Sequence, residues 1–205
     1  MVPRDRNRAG TVSLNAAHAG AGYTSGTNYD FSLVRYNADG SLDDTFNKVV
    51  TKKSTTYGTV LTKVGVGNYG AIARSALVQP DGSIVVVGAY AIDAPQQNWR
   101  VALARYTPAG KLDATFGGGG IVLMPSLVTG SSQADAVWDQ GKILVRGSGN
   151  LYRFNTNGTL DTTFDQDGIV QTTLSGPLAV DPAGNIFVGG TVSIPQPVGL
   201  AWTHF

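Results

Sequence analysis

Residues 34–46 read VRYNADGSLDDTF, residues 104–116 read ARYTPAGKLDATF and residues 152–164 read YRFNTNGTLDTTF. The three share Arg, an aromatic, three residues, Gly, one residue, Leu, Asp, one residue, Thr and Phe. A second block falls between them: ALVQPDGSIVVVG (76–88), AVWDQGKILVRG (136–147) and LAVDPAGNIFVGG (178–190). After its last copy, VGLAWTHF (198–205) stops where the next aromatic of the first block belongs. Tyr36, Tyr106, Phe154 and Phe205 are then equivalent, spaced 70, 48 and 51 residues apart. A period of about fifty, with an insertion of about twenty in the first interval, is the mark of a repeat array.

Each repeat reads as strands and turns. A short strand (ALVQ, LAVD) leads to a turn at Gly82, Gly141 or Gly184, where the backbone needs positive φ. A continuous apolar run follows (IVVVG, ILVRG, IFVGG), as expected of a strand buried on both faces. A variable loop leads to an alternating third strand with Leu33, Leu103 and Leu151 equivalent. A tight turn at Gly40, Gly110 or Gly158 then enters Leu-Asp-x-Thr-Phe. Four short strands per unit predict an all-β fold, a β-propeller or propeller-like repeat of four-stranded blades. The chain reads as a single domain over 1–205, with units at roughly 11–70, 71–125, 133–173 and 176–205.

A competing motif has to be weighed. In KVGVGNYGAIARSALV (63–78), Gly65, Gly67 and Gly70 match the dinucleotide fingerprint, and Asp93 lies where a ribose-binding acid is sought. The repeat register rejects it. ARSALVQPDGSIVVVG aligns with GPLAVDPAGNIFVGG, which has no glycine fingerprint, so Ala76–Gln79 is expected to be a short strand. The distance from Gly70 to Pro80 is also too short for a crossover helix. The glycines are assigned to the insertion.

Composition agrees. Charged residues are 14% of the chain and glycine supplies 27 of its 205 residues, a β-rich, turn-rich balance. The net charge of +1 gives no reason to expect nucleic acid. There is no cysteine, hence no thiolate site. MVPRDRNRAG lacks the apolar core of a signal peptide, and no apolar run reaches membrane-spanning length.

RYNADGSLDDTF, RYTPAGKLDATFGGGGIV and ALVQPDGSIVVVG resemble the bacterial delta-60 repeat family. Its units read approximately Arg-Tyr-x-x-x-Gly-x-Leu-Asp-x-x-Phe-Gly-x-x-Gly, then Leu-x-x-Gln-x-Asp-Gly-Lys-Ile. The likeness covers most of residues 28–205, with residues 51–70 outside it and DQG replacing PDG in the third unit. It implies propeller-like β-domains in secreted or surface-attached bacterial proteins, and no catalytic residues. Localisation at the cell surface or outside the cell is expected on that ground alone.

Asp43, Asp113 and Asp161 could ligate a metal, but calcium needs six or more oxygens, and TPAGKLD and NTNGTLD lack most of those in NADGSLD. The expectation is that each Asp bonds the backbone and the Thr two residues on, while Phe46, Phe116 and Phe164 plug between blades. No metal, cofactor or catalytic residue is assigned. His18 and His204 are isolated in sequence and would matter only in a propeller hydrolase or lyase, the least favoured function. Trp202 replaces the core Leu of a third strand. Trp138 is placed level with Gln79 and Asp181 and Trp99 at the opening of a third strand; both are candidate ligand or partner contacts. Lys52 and Lys53, with Lys48 and Lys63, form a basic patch in the insertion and are candidate contacts too.

Both terminal units are incomplete: the first lacks a first strand, and the fourth ends before its Leu-Asp-x-Thr-Phe. Open strand edges invite pairing. The expected function is therefore a non-catalytic structural or interaction module, self-assembling through open blade edges or binding a protein. The alternative is a glycan-binding propeller that uses loop aromatics such as Trp138.

Overall fold

The computed structural model describes residues 30–65, 69–93, 98–125, 133–147, 149–172 and 176–190, together with the backbone of 11–13 and 128–129. His18, Trp202, His204 and Phe205 lie outside the described residues. All regular structure among the described residues is β.

In the first unit, β1 (Thr11–Ser13) pairs antiparallel with β2 (Phe31–Tyr36). A small hairpin, β3 (Val49–Val50) and β4 (Thr55–Thr56), precedes β5 (Thr59–Thr62), which pairs with the other edge of β2. The second unit contains β6 (Ala71–Val78), β7 (Ile84–Ala91), β8 (Asn98–Tyr106), β9 (Ile121–Leu123) and β10 (Val128–Thr129). These form the order β6-β7-β8, with β9 and β10 sharing the outer edge of β8. In the third unit β11 (Ala134–Asp139), β12 (Lys142–Gly147), β13 (Asn150–Phe154) and β14 (Ile169–Gln171) form a four-stranded meander. The fourth contributes β15 (Leu178–Val180) and β16 (Ile186–Val188). The fold is all-β, a propeller-like succession of antiparallel blades.

Blades pack through alternate side chains of their central strands, as period-two strands require. One buried cluster joins units one and two through Phe31, Leu33, Phe46, Val86, Ala104 and Tyr106. A second joins units two and three through Val85, Leu103, Phe116, Met124, Val145 and Phe154. A third joins Leu144 and Leu151 of unit three to Leu178 of unit four. Strand β7 is buried along its entire length, because it offers Val86 to one neighbour and Val85 and Val87 to the other.

Register corrects three details of the sequence reading. The segment expected as a short strand from Ala76 begins at Ala71, directly after Gly70, with a bulge between Ala73 and Ser75. Gly88 forces this close approach: a Cβ there would lie 2.1 Å from the Ile72 carbonyl oxygen. Residues 58–62 belong to the repeat rather than to the insertion. The Gly58 N–H bonds the Phe46 carbonyl as Gly120 bonds Phe116 and Gly168 bonds Phe164, and a fourth strand follows each glycine. The insertion is therefore the hairpin β3–β4, and the rest of the long first interval is the extended β7–β8 pair. Finally, Trp138 lies opposite Ile143, as Val78 lies opposite Ile84 and Val180 opposite Ile186. It is level with those valines and not with Gln79 and Asp181; Asp139 holds that position. The two-residue turn Gln140–Gly141, both at positive φ (44° and 88°), is one residue shorter than its counterparts, and that tight hairpin connection displaced the alignment.

Candidate interaction site

The repeated Arg, Asp, Thr and Phe converge on one structure, a clasp at the end of each third strand. In unit one, Arg35 Nε donates to Asp43 Oδ2 at 2.7 Å, and Asp43 Oδ1 accepts from the Thr45 hydroxyl at 2.6 Å and the Thr45 N–H at 2.8 Å. The guanidinium lies 4.4 Å above the centre of the Phe46 ring. Unit two repeats this with Arg105–Asp113 at 2.9 Å, the Thr115 hydroxyl on Asp113 at 2.7 Å and Phe116 at 4.9 Å from Arg105. Unit three repeats it with Arg153–Asp161 at 2.9 Å, Thr163 on Asp161 at 2.7 Å and Phe164 at 4.6 Å. Antiparallel return of the chain makes this pairing: the Asp N–H bonds the Arg carbonyl in all three units, which sets the two side chains abreast although eight residues separate them.

The clasp also grips the next blade. Arg35 Nη1 donates to the Pro108 carbonyl at 2.6 Å, and Arg105 Nη1 donates to the Thr156 carbonyl at 2.5 Å. The residue after each Phe adds a second bond, Asn47 N–H to the Ala109 carbonyl and Gly117 N–H to the Asn157 carbonyl, both at 2.8 Å. The turn of the following unit is thus held by two main-chain oxygens. Its glycine sits against the clasp: a Cβ on Gly110 would be 2.8 Å from the Phe46 ring, and one on Gly158 would be 3.0 Å from Phe116.

The third clasp is assembled but grips no turn among the described residues. Among the described residues, Arg153 bonds Asp161 and Thr163 without a carbonyl on Nη1, and the Asp165 N–H has no counterpart of the Ala109 or Asn157 oxygen. Phe164 is half-buried where Phe46 and Phe116 are fully buried. An open cavity of about 250 Å³ lies here, lined by Asp139, Gln140, Lys142, Arg153, Asp161, Thr163, Ala183 and Gly184. Lys142 points its ammonium at Asp161 Oδ2 (3.4 Å) and bonds Asn155 Oδ1 (2.6 Å). On the face of β12 toward unit four, the buried Arg146 takes the place of Val87, and its Nε has no hydrogen-bond partner among the described residues.

The clasps hold their carboxylates ionised. The Thr163 hydroxyl is the main cause of a pKa of about 2 at Asp161; burial opposes it, and the Thr163 N–H, Arg153 and Lys142 add to it. Asp113 is lowered chiefly by Thr115 and then by Arg105. Burial pushes Asp43 up, but the bonds from Thr45 and Arg35 outweigh it and the net shift is down. A carboxylate with both oxygens engaged in this way is unsuited to proton transfer near neutrality.

The remaining sequence candidates scatter. Trp99 is 7% exposed, in a cluster with Ala89 and Ala91, which withdraws its face from a ligand. Trp138 lies on strand β11, not in a loop, and packs half-buried against the cluster between units two and three. Lys52 and Lys53 are exposed at the tip of β3–β4, remote in the fold's order from the third clasp. Asp93 caps the start of β8 through bonds to Asn98. Among the described residues no cluster of His, Asp or Glu could hold a metal. Sequence reading missed Arg35, Arg105 and Arg153 as the gripping groups, although Arg opens every copy of the motif.

Residues 19–46, 79–116 and 141–164 match a family model described as a domain of unknown function (DUF5122) beta-propeller. The matched segments contain all three clasp motifs. No curated protein and no solved structure matches the chain.

Proposed function

We propose that this chain is a non-catalytic structural or interaction module of the delta-60 type, working at the cell surface or outside the cell through protein–protein contacts, self-association included. The observation that carries the reading is the fate of the repeated polar residues. Asp43, Asp113 and Asp161 are each bonded by an arginine and a threonine of their own unit, so the recurring chemistry serves to join blades. The same kind of clasp stands at Arg153, where no turn is held among the described residues. The glycan-binding alternative draws little support from Trp99 and Trp138, both of which pack inward. Sedimentation of the purified chain over a concentration series, beside a glycan panel, tests the reading. Reversible association with no glycan retained is the expected result. Glycan binding that disappears in Trp138→Ala, with a monomer throughout, would replace it by the lectin reading.

A further inference from the structure

The loop between each clasp phenylalanine and the outermost strand of its blade is closed by the same backbone bond. Gly58, Gly120 and Gly168 donate to the carbonyls of Phe46, Phe116 and Phe164 at 2.6, 2.7 and 2.7 Å. The first residue of each loop also takes one conformation, with φ of 48° at Asn47, 55° at Gly117 and 48° at Asp165. The three loops are therefore equivalent and line one rim of the array. Their contents differ. Unit one carries NKVVTKKSTTY (47–57), with three lysines and no acid; unit two carries GGG (117–119); unit three carries DQD (165–167). The rim thus reads basic, uncharged and acidic in order, at +3, 0 and −2.

The segregation extends past the loops. Residues 45–80 hold five cations and no acid, and residues 154–181 hold four acids and no lysine or arginine, in a chain whose net charge is only +1. Every residue from Lys48 to Tyr57 is exposed, as are Gly117–Gly119 and Asp165–Asp167. Among the described residues, none of Lys48, Lys52, Lys53, Asp165 and Asp167 forms an ion pair, whereas each clasp acid has one. Both charged loops are held in shape. The tip of β3–β4 is closed by the Thr51 N–H on the Ser54 carbonyl (2.8 Å) and by the Ser54 N–H on Thr51 Oγ1 (3.0 Å), so Lys52 and Lys53 stand on a fixed turn. In unit three Asp167 Oδ1 accepts from the Ile169 N–H at 2.8 Å. Between them the rim is bare: an added Cβ at Gly118 or Gly119 would meet nothing within 4 Å.

A row that runs basic, bare and acidic is its own complement under a two-fold rotation through its middle. We propose that two copies pair rim to rim about an axis at Gly117–Gly119. Lys48, Lys52 and Lys53 of each copy then meet Asp165 and Asp167 of the other. The eleven-residue loop of unit one faces a loop of three residues, so the long element meets the short one. Val50, 69% exposed, and Tyr57, 40% exposed, are apolar surface on the hairpin that the contact covers. An isologous pairing of this kind stops at a dimer, and its exposed charges make it salt-dependent. It gives the self-association of the proposed function a place and rests on that reading.

Charge exchange in the full chain tests it. Lys52→Glu with Lys53→Glu turns the first loop from +3 to −1. Asp165→Asn, Gln166→Lys and Asp167→Asn turn the third from −2 to +1; asparagine tolerates positive φ and keeps an oxygen for the Ile169 N–H. All five side chains are exposed and none belongs to a clasp; circular dichroism checks that each variant is folded. Sedimentation should show the unaltered chain in a reversible monomer–dimer equilibrium, weakened about tenfold or more between about 0.05 M and about 0.5 M salt. Each variant alone should lose about tenfold or more in dimer affinity, and an equimolar mixture of the two should recover it. Association that neither variant changes overturns this interface and leaves self-association to another surface. Growth past the dimer overturns the two-fold pairing. Monomers at every concentration, in the mixture as well, overturn the interface and the self-association together. Retention of such a monomer on heparin, lost with Lys52→Glu and Lys53→Glu, would assign the hairpin to an acidic partner in place of a second copy.

Discussion

The clasps at Arg105 and Arg153 contain the same side chains in the same geometry, and among the described residues only the first holds a neighbouring turn. Around Arg105 the turn of unit three closes over the guanidinium, Phe116 is fully buried, and Gly117 secures a second carbonyl. Around Arg153 the bonds within the unit are intact, with Asp161 and Thr163 in place, and no turn of a neighbouring unit is held among the described residues. The difference teaches that each unit forms its own clasp before it is used, so the clasp is a preorganised acceptor. Preorganisation of this kind lowers the ordering cost of docking.

The comparison can be broken first at the phenylalanines. Phe116→Ala should cost about 3–5 kcal/mol, the range for a buried aromatic, and Phe164→Ala about 1–2 kcal/mol, since it is only partly buried; urea unfolding of the two variants checks this, and equal losses would mean the third clasp is covered. Next come the glycines. Gly158→Ala should cost about 2–3 kcal/mol, adding overpacking against Phe116 to the left-handed strain, and Gly40→Ala about 1 kcal/mol from strain alone; thermal unfolding gives the order. The arginines differ by less. Replacing Arg105 by Gln should cost about 1 kcal/mol more than Arg153→Gln, for the additional bond to the Thr156 carbonyl.

Acid has the mildest effect and treats the clasps alike. Asp43, Asp113 and Asp161 all have native pKa values below the ordinary carboxylate range, so the unfolded chain binds protons first as pH falls. Their contribution is complete above about pH 4 and is lost as pH drops toward the native values, near 2 for Asp161. The urea midpoint should therefore stay flat from neutrality to about pH 4 and fall below it. Replacement of Asp161 by Asn should flatten that descent.

Much of this architecture was legible from the sequence because repetition aligns equivalent positions. Gly40, Gly110 and Gly158 mark turns that all have positive φ, and Phe46 and Phe116 stand at blade junctions. The misreadings occurred where a unit departs from its neighbours. A turn one residue shorter at Gln140–Gly141 displaced Trp138, and a hairpin inserted after Phe46 concealed β5. The Arg–Asp pairing was hidden for a different reason. Local rules tie an Asp to the Thr two residues on, but the partner eight residues back is reached only after the strand has reversed. Whether a turn stands against Arg153 depends on what lies beside the unit, and composition within the unit cannot show it.

The turns at the closed steps are recognised through carbonyl oxygens of Pro108, Ala109, Thr156 and Asn157, four residues with nothing in common but a backbone. A joint written in main-chain atoms is indifferent to drift at those positions and demands only the Arg, Asp, Thr, Phe and Gly that shape it. Genetic duplication or loss of a unit would therefore produce a joint that fits at once, without compensating change in either neighbour. The number of blades in such a lineage is free to vary faster than the five residues that connect them.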